Sequence, residues 1–592
     1  MIRTPLPTPS VPDPVAAGRL LADLAQNAHA AMLAAGQRAL TPETAPYDPA
    51  VVAKAFTDFT LGLWSNPMKL AQAQMQGWQD WTALWRTQAA RAAGQDVAPM
   101  IEPAKGDRRF SAPAWKDEPV YDYLKQAYLL AGRQIQDLVA SAEVDDQTRA
   151  KVDFFSRQLM NALSPANFVH TNPEAARKTV ETGGLNLMTG LSNLLEDLAG
   201  GKGLPSRRAP DTFELGVNIA ATPGAVVFQN DLMQLIQYAP STETVFKRPL
   251  LFVPPLVNKY YLFDLTPKSS YLKWLVDQGH TVFVISWVNP TEQHARKDLA
   301  DYVRDGVLKA LDAVEQATGE TRTDVVSYCL GGTLAAIALA YLAATGQSER
   351  VASATLIATL VDFKDMGEWS VFLGPEELDT FDRYLDEKGY VEAHDLAKLF
   401  STVRANDLIW SAVVQHYLLG EEGRPSDLLW WFDDASRIPA GMLKEYGRLV
   451  LQQNRLTQPG GVTIDGVGID LGKIATPVYV VALKDDHVAA WKDTWAGQRY
   501  FGGETRFILG GSGHNAGMIN PPAANKHGYW TSDAKAETAD AWLAGAENKP
   551  GSWWPEWQAW LASEERVPAR VPGEGALPAL EAAPGSYVRV KH

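Results

Sequence analysis

The sequence predicts an α/β protein, because short apolar runs alternate with helical segments through its second half. The helical segments include 270–278 and 299–318, and the runs between them have the length of buried strands. These runs cover 225–228, 250–254, 281–287, 323–328, 352–358, 478–483 and 506–509. Such alternation is typical of a mostly parallel sheet covered by helices on both faces.

A reactive side chain lies on the turn between one of these strands and the next helix. Cys329 follows the strand 323–328, and Gly331 and Gly332 open the helical segment behind it. The glycines let the helix start close against the sheet, and the helix N-terminus stabilises a thiolate. A nucleophile on such a turn is the nucleophile elbow of α/β-hydrolases. The alternative is a buried, inert cysteine.

An acid and a histidine follow later strands in the order that this fold requires. Asp486 comes just after the run 478–483, and His514 follows the run 506–509 through a Gly/Ser turn. Loops at the carboxyl ends of parallel strands meet at one edge of the sheet. We therefore expect His514 to reach Cys329 and Asp486 to fix the tautomer of His514.

Several alternatives stay open at these positions. Asp485 stands beside Asp486, and physical reasoning alone divides the acid role almost evenly between them. His514 could be a structural turn residue, and His487 either orients a neighbour or packs.

An oxyanion hole on this fold uses two backbone N–H groups. One would belong to Leu330, directly after the nucleophile, and the other to Leu256 or Val257, directly after the run 250–254. That loop lacks the glycine-rich pattern of lipases.

Composition divides the chain into domains. Residues 1–15 are Pro-rich and predict a disordered N-terminus, whereas 16–200 carry apolar residues at helical spacing and predict a helical domain. A Gly/Lys/Pro/Arg linker then precedes the catalytic domain at 209–563. The long segment 361–476 predicts an inserted cap or lid, and 564–592 predict a loose C-terminal tail.

Near the C-terminus, Trp553, Trp557 and Trp560 share one helical face. This face predicts either a helix docked on the core or contact with an apolar partner.

Bulk properties exclude several classes of protein. The formal net charge of -15 argues against general nucleic-acid binding. A single cysteine excludes an internal disulfide and favours a reducing, cytoplasmic compartment. No secretory signal is visible, and no apolar run approaches the roughly 18 residues of a membrane span. We expect neither a metal nor a cofactor.

Taken together, these motifs resemble the polyhydroxyalkanoate synthases (poly-3-hydroxybutyrate polymerases), from about Arg108 to Lys591. The segments that carry the resemblance are FSAPAWKDEPVYDYLKQAYLL, FELGVNIAATPGAVVFQN, LFVPPLVNKYYLFDL, SYCLGGT, RANDLIW, DLLWWFDD, LKDDHVAAW, GGSGHNAGMINPP and GSWWPEW. The family's catalytic Cys, Asp and His fall on Cys329, Asp486 and His514.

The resemblance also implies roles for other residues. Arg404 and Asn454 match family positions thought to line the path of coenzyme A (CoA), and we place His487 with them as a substrate-binding candidate. The family's usual Gly-x-Cys-x-Gly-Gly box has Ser327 in place of its first glycine. We expect this serine to tune activity and not to abolish it.

The implied activity is polymerisation of an (R)-3-hydroxyacyl-CoA into polyester with release of CoA. The length resembles class I enzymes, which act as homodimers on short-chain substrates such as 3-hydroxybutyryl-CoA. The implied partners are this substrate, the growing polyester chain and the granule surface in the cytoplasm. The rival interpretations are a Cys-dependent acyl-CoA thioesterase or hydrolase of the same fold, and a non-catalytic granule or scaffold protein.

Overall fold

A computed structural model describes Gln26 and residues 48–200, 204–205, 212–423, 425–562 and 565–591. The chain forms two compact units. The first takes residues up to 210 with 367–381 and 397–425, and the second takes 211–366, 382–396 and 426–592. The predicted disordered stretch 1–15 lies outside the described residues, and so does the start of the predicted helical domain up to residue 47, apart from Gln26.

The first unit is helical, as the sequence predicted. Its N-terminal part contains the helices Pro49–Trp64, Pro67–Ala92, Ala114–Asp117, Pro119–Ser141, Asp146–Ala162, Pro173–Glu181 and Leu185–Gly200, with a short 3₁₀ turn at Pro165–Asn167. A buried ion pair joins two of them, because Asp122 accepts from Arg91 at 2.8 Å and also contacts Lys125 at 2.9 Å.

The helical spacing of the sequence predicts one helix over 50–93, and the structure interrupts this helix once. The residue before a proline is disfavoured in the helical conformation, and here Asn66 precedes Pro67. Asn66 instead caps the second helix, since its side chain accepts a hydrogen bond from Lys69 N at 3.2 Å. Two separate helices, Pro49–Trp64 and Pro67–Ala92, therefore replace the single predicted one.

The second unit is built on an eleven-stranded sheet, which confirms the predicted α/β architecture. The strands of this unit and of the segments beside it are β1 Gly224–Gln229, β2 Met233–Tyr238, β3 Thr244–Phe246, β4 Leu250–Val253, β5 Val282–Trp287, β6 Thr323–Tyr328, β7 Val351–Ile357, β8 Tyr390–Val391, β9 Ile438–Pro439, β10 Thr463–Ile464, β11 Val467–Gly468, β12 Val478–Leu483, β13 Thr505–Gly510, β14 Tyr529–Thr531, β15 Glu547–Lys549, β16 Arg566–Pro568 and β17 Glu581–Ala582.

The central strands of the sheet are parallel and its edges are antiparallel. The order is β15-β14-β13-β12-β7-β6-β4-β5-β2-β1-β17, and the six strands from β13 to β5 run parallel. All seven predicted runs are strands of this sheet. β2, β14, β15 and β17 were not predicted, and they are the antiparallel additions at the two edges.

Helices of the second unit cover this sheet. They are Tyr271–Asp277, Leu299–Asp301, Lys309–Thr318, Leu330–Ala344, Trp491–Gly497, His514–Met518, Ala539–Gly545 and Trp554–Leu561, with a π-helical turn at Tyr302–Leu308. Short 3₁₀ turns lie at Tyr260–Asp264, Glu292–His294, Ser348–Arg350, Arg455–Thr457, Leu471–Lys473, Gln498–Tyr500, Pro522–Ala524 and Tyr587–Arg589. The helix Leu330–Ala344 is apolar on all sides, and twelve of its residues are buried.

The segment 361–476, predicted as a cap, carries its own structure. It contains the helical stretches Gly367–Phe372, Pro375–Lys388, Ala393–Val403, Asn406–Trp410, Val413–Leu418, Asp427–Asp433, Ala440–Glu445 and Tyr446–Gln452. Its residues are shared between the two units, so its boundaries as one cap remain a prediction.

The prediction of a loose C-terminal tail is wrong. β17 pairs antiparallel with β1, and Val588 is buried. Arg570 forms an ion pair with Glu320 at 2.7 Å. The Pro/Ala/Gly/Glu composition suggested a loose chain, but a few specific side chains are enough to fix the segment to the sheet.

The tryptophan cluster near the C-terminus packs into the core. Trp553 and Trp557 are fully buried, and Trp560 is partly buried against the same cluster. The indole N–H of Trp557 donates to Thr355 Oγ1 at 2.9 Å, on strand β7. The structure therefore favours docking on the core for this helix.

Among the described residues, we find no helix of sufficient length and apolarity to cross a membrane.

Candidate active site

Cys329 lies on a strained turn between β6 and the helix Leu330–Ala344. Its backbone has φ of 52° and ψ of -127°, a conformation that is rare for a residue other than glycine. The turn is held by a hydrogen bond from Cys329 N to Ile357 O at 2.9 Å. Cys329 as a residue is partly exposed and makes no disulfide.

The glycines behind Cys329 allow a close approach that a side chain would block. A Cβ on Gly331 would lie 2.5 Å from the carbonyl oxygens of Val253 and Pro254, and one on Gly332 would lie 1.9 Å from Thr359 Oγ1. The helix therefore starts directly against the loop that follows β4.

Ser327, which stands where the family has glycine, is completely buried on β6, two residues before the nucleophile. Its hydroxyl donates to Thr355 O at 2.9 Å on the neighbouring strand. The extra oxygen is thus accommodated by a hydrogen bond inside the sheet.

Asp486 and His514 form a buried pair at the carboxyl edge of β12 and β13. The Nδ1 atom of His514 lies 2.6 Å from Asp486 Oδ2. Asp486 Oδ1 accepts the backbone N–H groups of Val488 and Ala489 at 2.8 and 2.9 Å, which fixes the carboxylate. Asp485 is exposed, whereas the Asp486 side chain is fully buried, so burial and contact favour Asp486 over Asp485 as the partner of His514.

The electrostatics of His514 connect it to both partners. Burial alone would lower the pKa of His514, but the charges of Asp486 and Cys329, with hydrogen bonds to both, raise it from 6.5 to about 10. The raised pKa shows that the imidazolium form of His514 is stabilised by its two neighbours. This is the arrangement of an activated cysteine nucleophile with its base.

Two tyrosines complete the site, and the sequence analysis did not single them out. The Tyr328 ring packs at a tilt of 49° against the His514 ring, with centroids 4.9 Å apart, and its hydroxyl donates to His514 O at 2.9 Å. Tyr446 is also buried, and its pKa is raised mainly by burial, against a hydrogen bond with Thr333 that lowers it and with a smaller contribution from Cys329 that raises it. Tyr328 directly precedes the nucleophile, which is the only sequence signal that pointed to it.

The predicted oxyanion loop lies beside the elbow. Val253 on β4 pairs with Ser327 on β6, so the residues that follow both strands emerge at the same edge. Leu330 is the first residue of its helix, and an N–H at that position has no acceptor within the helix. Leu256 is buried and Val257 is partly buried in the adjoining loop.

The oxyanion loop is fixed to the helix Asp427–Asp433 by buried polar contacts. Lys259 Nζ lies 2.6 Å from Asp434 Oδ1, and the Tyr261 hydroxyl donates to Asp434 Oδ2 at 2.8 Å. The indole of Trp431 donates to Lys259 O at 2.7 Å, and Asn258 Nδ2 donates to Trp431 O at 3.2 Å. We call this group the loop latch.

The three residues predicted to bind the substrate lie in different surroundings. Arg404 belongs to the first unit and pairs with Asp407. Asn454 belongs to the second unit, where it donates to Asp362 Oδ1 at 2.7 Å and accepts from Phe363 N at 2.9 Å. His487 is exposed, which disfavours the packing role considered for it.

Comparison with protein families supports the resemblance stated above. Residues 106–275 match the model of the poly-beta-hydroxybutyrate polymerase (PhaC) N-terminus, and residues 266–521 match the model of the alpha/beta hydrolase fold. The second match confirms the predicted fold.

Curated proteins similar to this chain extend over most of its length. A poly(3-hydroxyalkanoate) polymerase of Methylorubrum extorquens is 46% identical over 89% of this chain and 88% of that protein. The poly(3-hydroxyalkanoate) polymerase subunit PhaC of Rhizobium meliloti is 44% identical over 89% and 87%. That of Cupriavidus necator is 40% identical over 90% of each chain.

Proposed function

Because the chain belongs to the family of poly(3-hydroxyalkanoate) polymerases, we propose that it polymerises (R)-3-hydroxyacyl-CoA through an acyl-enzyme on Cys329. The substrate would be short-chain, such as 3-hydroxybutyryl-CoA, as in class I enzymes. The enzyme would act as a homodimer in the cytoplasm, at the surface of polyester granules.

One observation carries the proposed mechanism. Cys329 lies on a nucleophile elbow, and the His514–Asp486 pair reaches the same sheet edge with a separation of 2.6 Å between Nδ1 and Oδ2. A thiol suits the task because it exchanges acyl groups readily with thioesters and leaves the bound acyl group activated toward an alcohol.

In the acylation step, His514 accepts the proton of the Cys329 thiol. The thiolate attacks the thioester carbonyl carbon, and the carbonyl oxygen becomes an oxyanion. The N–H groups of Leu330 and of Leu256 or Val257 stabilise this charge. The carbon–sulfur bond to CoA then breaks, and the CoA thiolate takes the proton from His514. The enzyme now holds a 3-hydroxyacyl thioester on Cys329.

In the elongation step, the 3-hydroxyl of a second hydroxyacyl-CoA attacks the acyl-enzyme. His514, oriented by Asp486, accepts the hydroxyl proton as the new ester bond forms. The bond from the acyl carbon to Cys329 breaks, and the thiolate is restored. The product is a CoA-bound chain that is longer by one unit, and it can acylate Cys329 again.

This cycle uses one thiol, with CoA as the second carrier of the chain. The alternative, in which the chain passes between the Cys329 residues of two subunits, requires both thiols to meet. A heterodimer with one Cys329→Ala subunit tests the choice. Retained polymerisation supports the single-thiol cycle, whereas complete loss with the dimer intact contradicts it.

The segment 361–476 would exclude water from the acyl-enzyme, because water in place of the hydroxyl would release a free acid. A thioesterase of the same fold would catalyse this hydrolysis as its main reaction. The deciding experiment supplies (R)-3-hydroxybutyryl-CoA and measures CoA release together with the product. Insoluble polyester supports the proposal, and free 3-hydroxybutyrate with no polymer contradicts it.

A variant of the nucleophile assigns the activity to the proposed site. Cys329→Ala should abolish CoA release, since no nucleophile remains. If Cys329→Ala behaves like the wild type, the non-catalytic interpretation is correct and the proposed mechanism fails.

A further inference from the structure

Tyr328 connects the strand of the nucleophile to the helix that carries the base. It is the last residue of β6 and directly precedes Cys329. Its hydroxyl oxygen lies 2.9 Å from His514 O and 3.1 Å from Asn515 Oδ1, so its single proton is donated to one or the other acceptor. Both acceptors belong to the first turn of the helix His514–Met518. The hydroxyl therefore ties the turn of Cys329 to the turn of His514.

The ring of Tyr328 is fixed by two aromatic neighbours. It packs at a tilt of 49° against the ring of His514, and Phe263 meets it edge-on, with ring centroids 5.1 Å apart and an interplanar angle of 69°. Tyr328 is 1% exposed and belongs to a large buried apolar cluster. A close-packed aromatic side chain keeps one rotamer, because any other rotamer would meet its neighbours. The position of the hydroxyl is therefore rigid.

The element that carries His514 is short and weakly capped. The helix His514–Met518 has five residues, and its N-cap residue makes no side-chain hydrogen bond. It follows the Gly-Gly-Ser-Gly turn 510–513, whose glycines restrict the backbone little. Asp486 holds Nδ1 of the imidazole at 2.6 Å, which orients the ring. The hydroxyl of Tyr328 supplies the contact that holds the backbone of the same residue.

We propose that Tyr328 is a positioning residue, which holds the imidazole of His514 between Cys329 and Asp486. This inference rests on the proposed function, in which His514 is the base. The hydroxyl fixes the backbone of His514, and the ring of Tyr328 limits how far the imidazole can turn. Misplacement of a catalytic group by about 1 Å costs on the order of 100-fold in rate. Because Tyr328 directly precedes the nucleophile, one residue sets the positions of the nucleophile and the base together.

The hydroxyl of Tyr328 acts as a hydrogen-bond donor and takes no part in proton transfer. Burial raises the pKa of Tyr328 well above its ordinary value, and the charges of Cys329 and Asp486 add to this shift. The hydroxyl therefore keeps its proton throughout the cycle. The ionisable groups that act on His514 are Asp486, from the turn after β12, and Cys329. A loss of the Tyr328 hydroxyl changes neither group, so it acts on the base through geometry and not through charge.

A matched pair of variants tests the role of this hydroxyl. Tyr328→Phe removes the hydroxyl and keeps the ring. The control is Tyr271→Phe, because Tyr271 is fully buried in the same apolar cluster and its hydroxyl has no hydrogen-bond partner in the described part of the chain. With (R)-3-hydroxybutyryl-CoA, the kcat of Tyr328→Phe should fall roughly tenfold while its KM stays within about twofold, since a positioning contact acts on the transition state. The control should keep both constants within about twofold, and both variants should retain a cooperative thermal transition.

Alkylation of the thiol gives a second readout that needs no acyl-CoA. The chain has one cysteine, so the reaction rate with iodoacetamide reports Cys329 alone. The thiolate is the reactive form, and an imidazolium held beside it favours that form. Tyr328→Phe should therefore lower the alkylation rate at pH 7 roughly fivefold. At pH 10 a thiol ionises without such help, and the rate should stay within about twofold. Tyr271→Phe should match the wild type at both pH values.

Several results would overturn the inference. Equal kcat values and alkylation rates of Tyr328→Phe and the wild type do so, and so do equal losses in the two phenylalanine variants, which assign the effect to core packing. Loss of the cooperative thermal transition in Tyr328→Phe also overturns it, since the hydroxyl would then serve the stability of the fold.

A third variant, Asn515→Ala, leaves His514 O as the acceptor of the Tyr328 hydroxyl. It should keep kcat within about threefold, and a loss as large as that of Tyr328→Phe contradicts the assigned contact. Free 3-hydroxybutyrate with no polyester would overturn the proposed function instead. In that case the alkylation rates still test the role of Tyr328, because they depend only on the thiol and its base.

Discussion

The loop latch offers a sharp test of how the oxyanion loop is held. Lys259 and Asp434 have side-chain exposures of 4% and 10%, and their charged atoms are 2.6 Å apart. Burial lowers the pKa of Lys259, and the neighbouring Asp434 carboxylate opposes this shift. At 2.6 Å the gross attraction is roughly 6 kcal/mol for an effective dielectric constant of about 20. Most of this offsets the desolvation of two charges.

Removal of one partner of the ion pair should therefore lower the free energy of unfolding more than removal of both charges. Lys259→Met leaves the Asp434 carboxylate buried with only Tyr261 as its neutral donor, and should lower the free energy of unfolding by roughly 3–5 kcal/mol. Adding Asp434→Asn removes the stranded charge and keeps an acceptor for Tyr261. The double variant should recover at least half of the loss.

The assay is urea unfolding followed by circular dichroism, combined with the kinetics of CoA release. Since the latch holds the loop of Leu256 and Val257, the kcat of the double variant should fall more than its KM rises. A loss below about 1 kcal/mol for Lys259→Met would refute a buried latch. A double variant that is no more stable than the single one would show that the stranded charge is not the cause.

Three further results follow from the site. Asp486→Asn should slow CoA release at least about 1,000-fold, whereas Asp485→Asn should stay within about twofold, and equal losses would contradict the assignment. His514 has its pKa raised to about 10 from 6.5, so its stabilising effect is complete below about pH 6.5 and is lost as the pH rises through 10. Between pH 7 and 10, the melting temperature of the wild type should therefore fall more than that of His514→Gln, and parallel pH profiles would refute this. Gly331→Ala places a Cβ 2.5 Å from two carbonyl oxygens and should lower the free energy of unfolding by about 1–3 kcal/mol in a thermal melt. Unchanged stability would contradict this prediction.

Sequence periodicity identified the six parallel strands of the sheet and β1, but not the other antiparallel strands near its edges. The seven apolar runs are buried on both faces, which makes each run recognisable without knowing its neighbours. β2 was missed because Gln234 and Gln237 interrupt its apolar pattern. Both are buried, and they donate to Ser586 Oγ at 3.0 Å and to Arg570 O at 3.1 Å. Their partners lie more than 300 residues away, where local sequence reasoning does not reach.

The candidate catalytic residues were predicted from the order in which they follow the strands along the chain. The choice between neighbouring candidates required the structure. Asp485 and Asp486 differ in burial, and burial depends on how the turn after β12 is directed. The role of Tyr328 in holding His514 depends on a contact across 186 residues. The N–H donors of the proposed oxyanion hole are backbone groups, which no side-chain pattern reveals.

The pairing of β17 with β1 has a consequence for synthesis on the ribosome. Translation delivers Cys329 long before His514, and Glu581–Ala582 later still. Until that last short strand has emerged, the outer side of β1 keeps unsatisfied amide and carbonyl groups that could recruit another nascent polypeptide. At about 5–20 residues per second, more than 350 residues separate these two strands, so the exposed edge persists for tens of seconds. The order of the strands in the chain therefore predicts that the nascent protein needs chaperones during that interval.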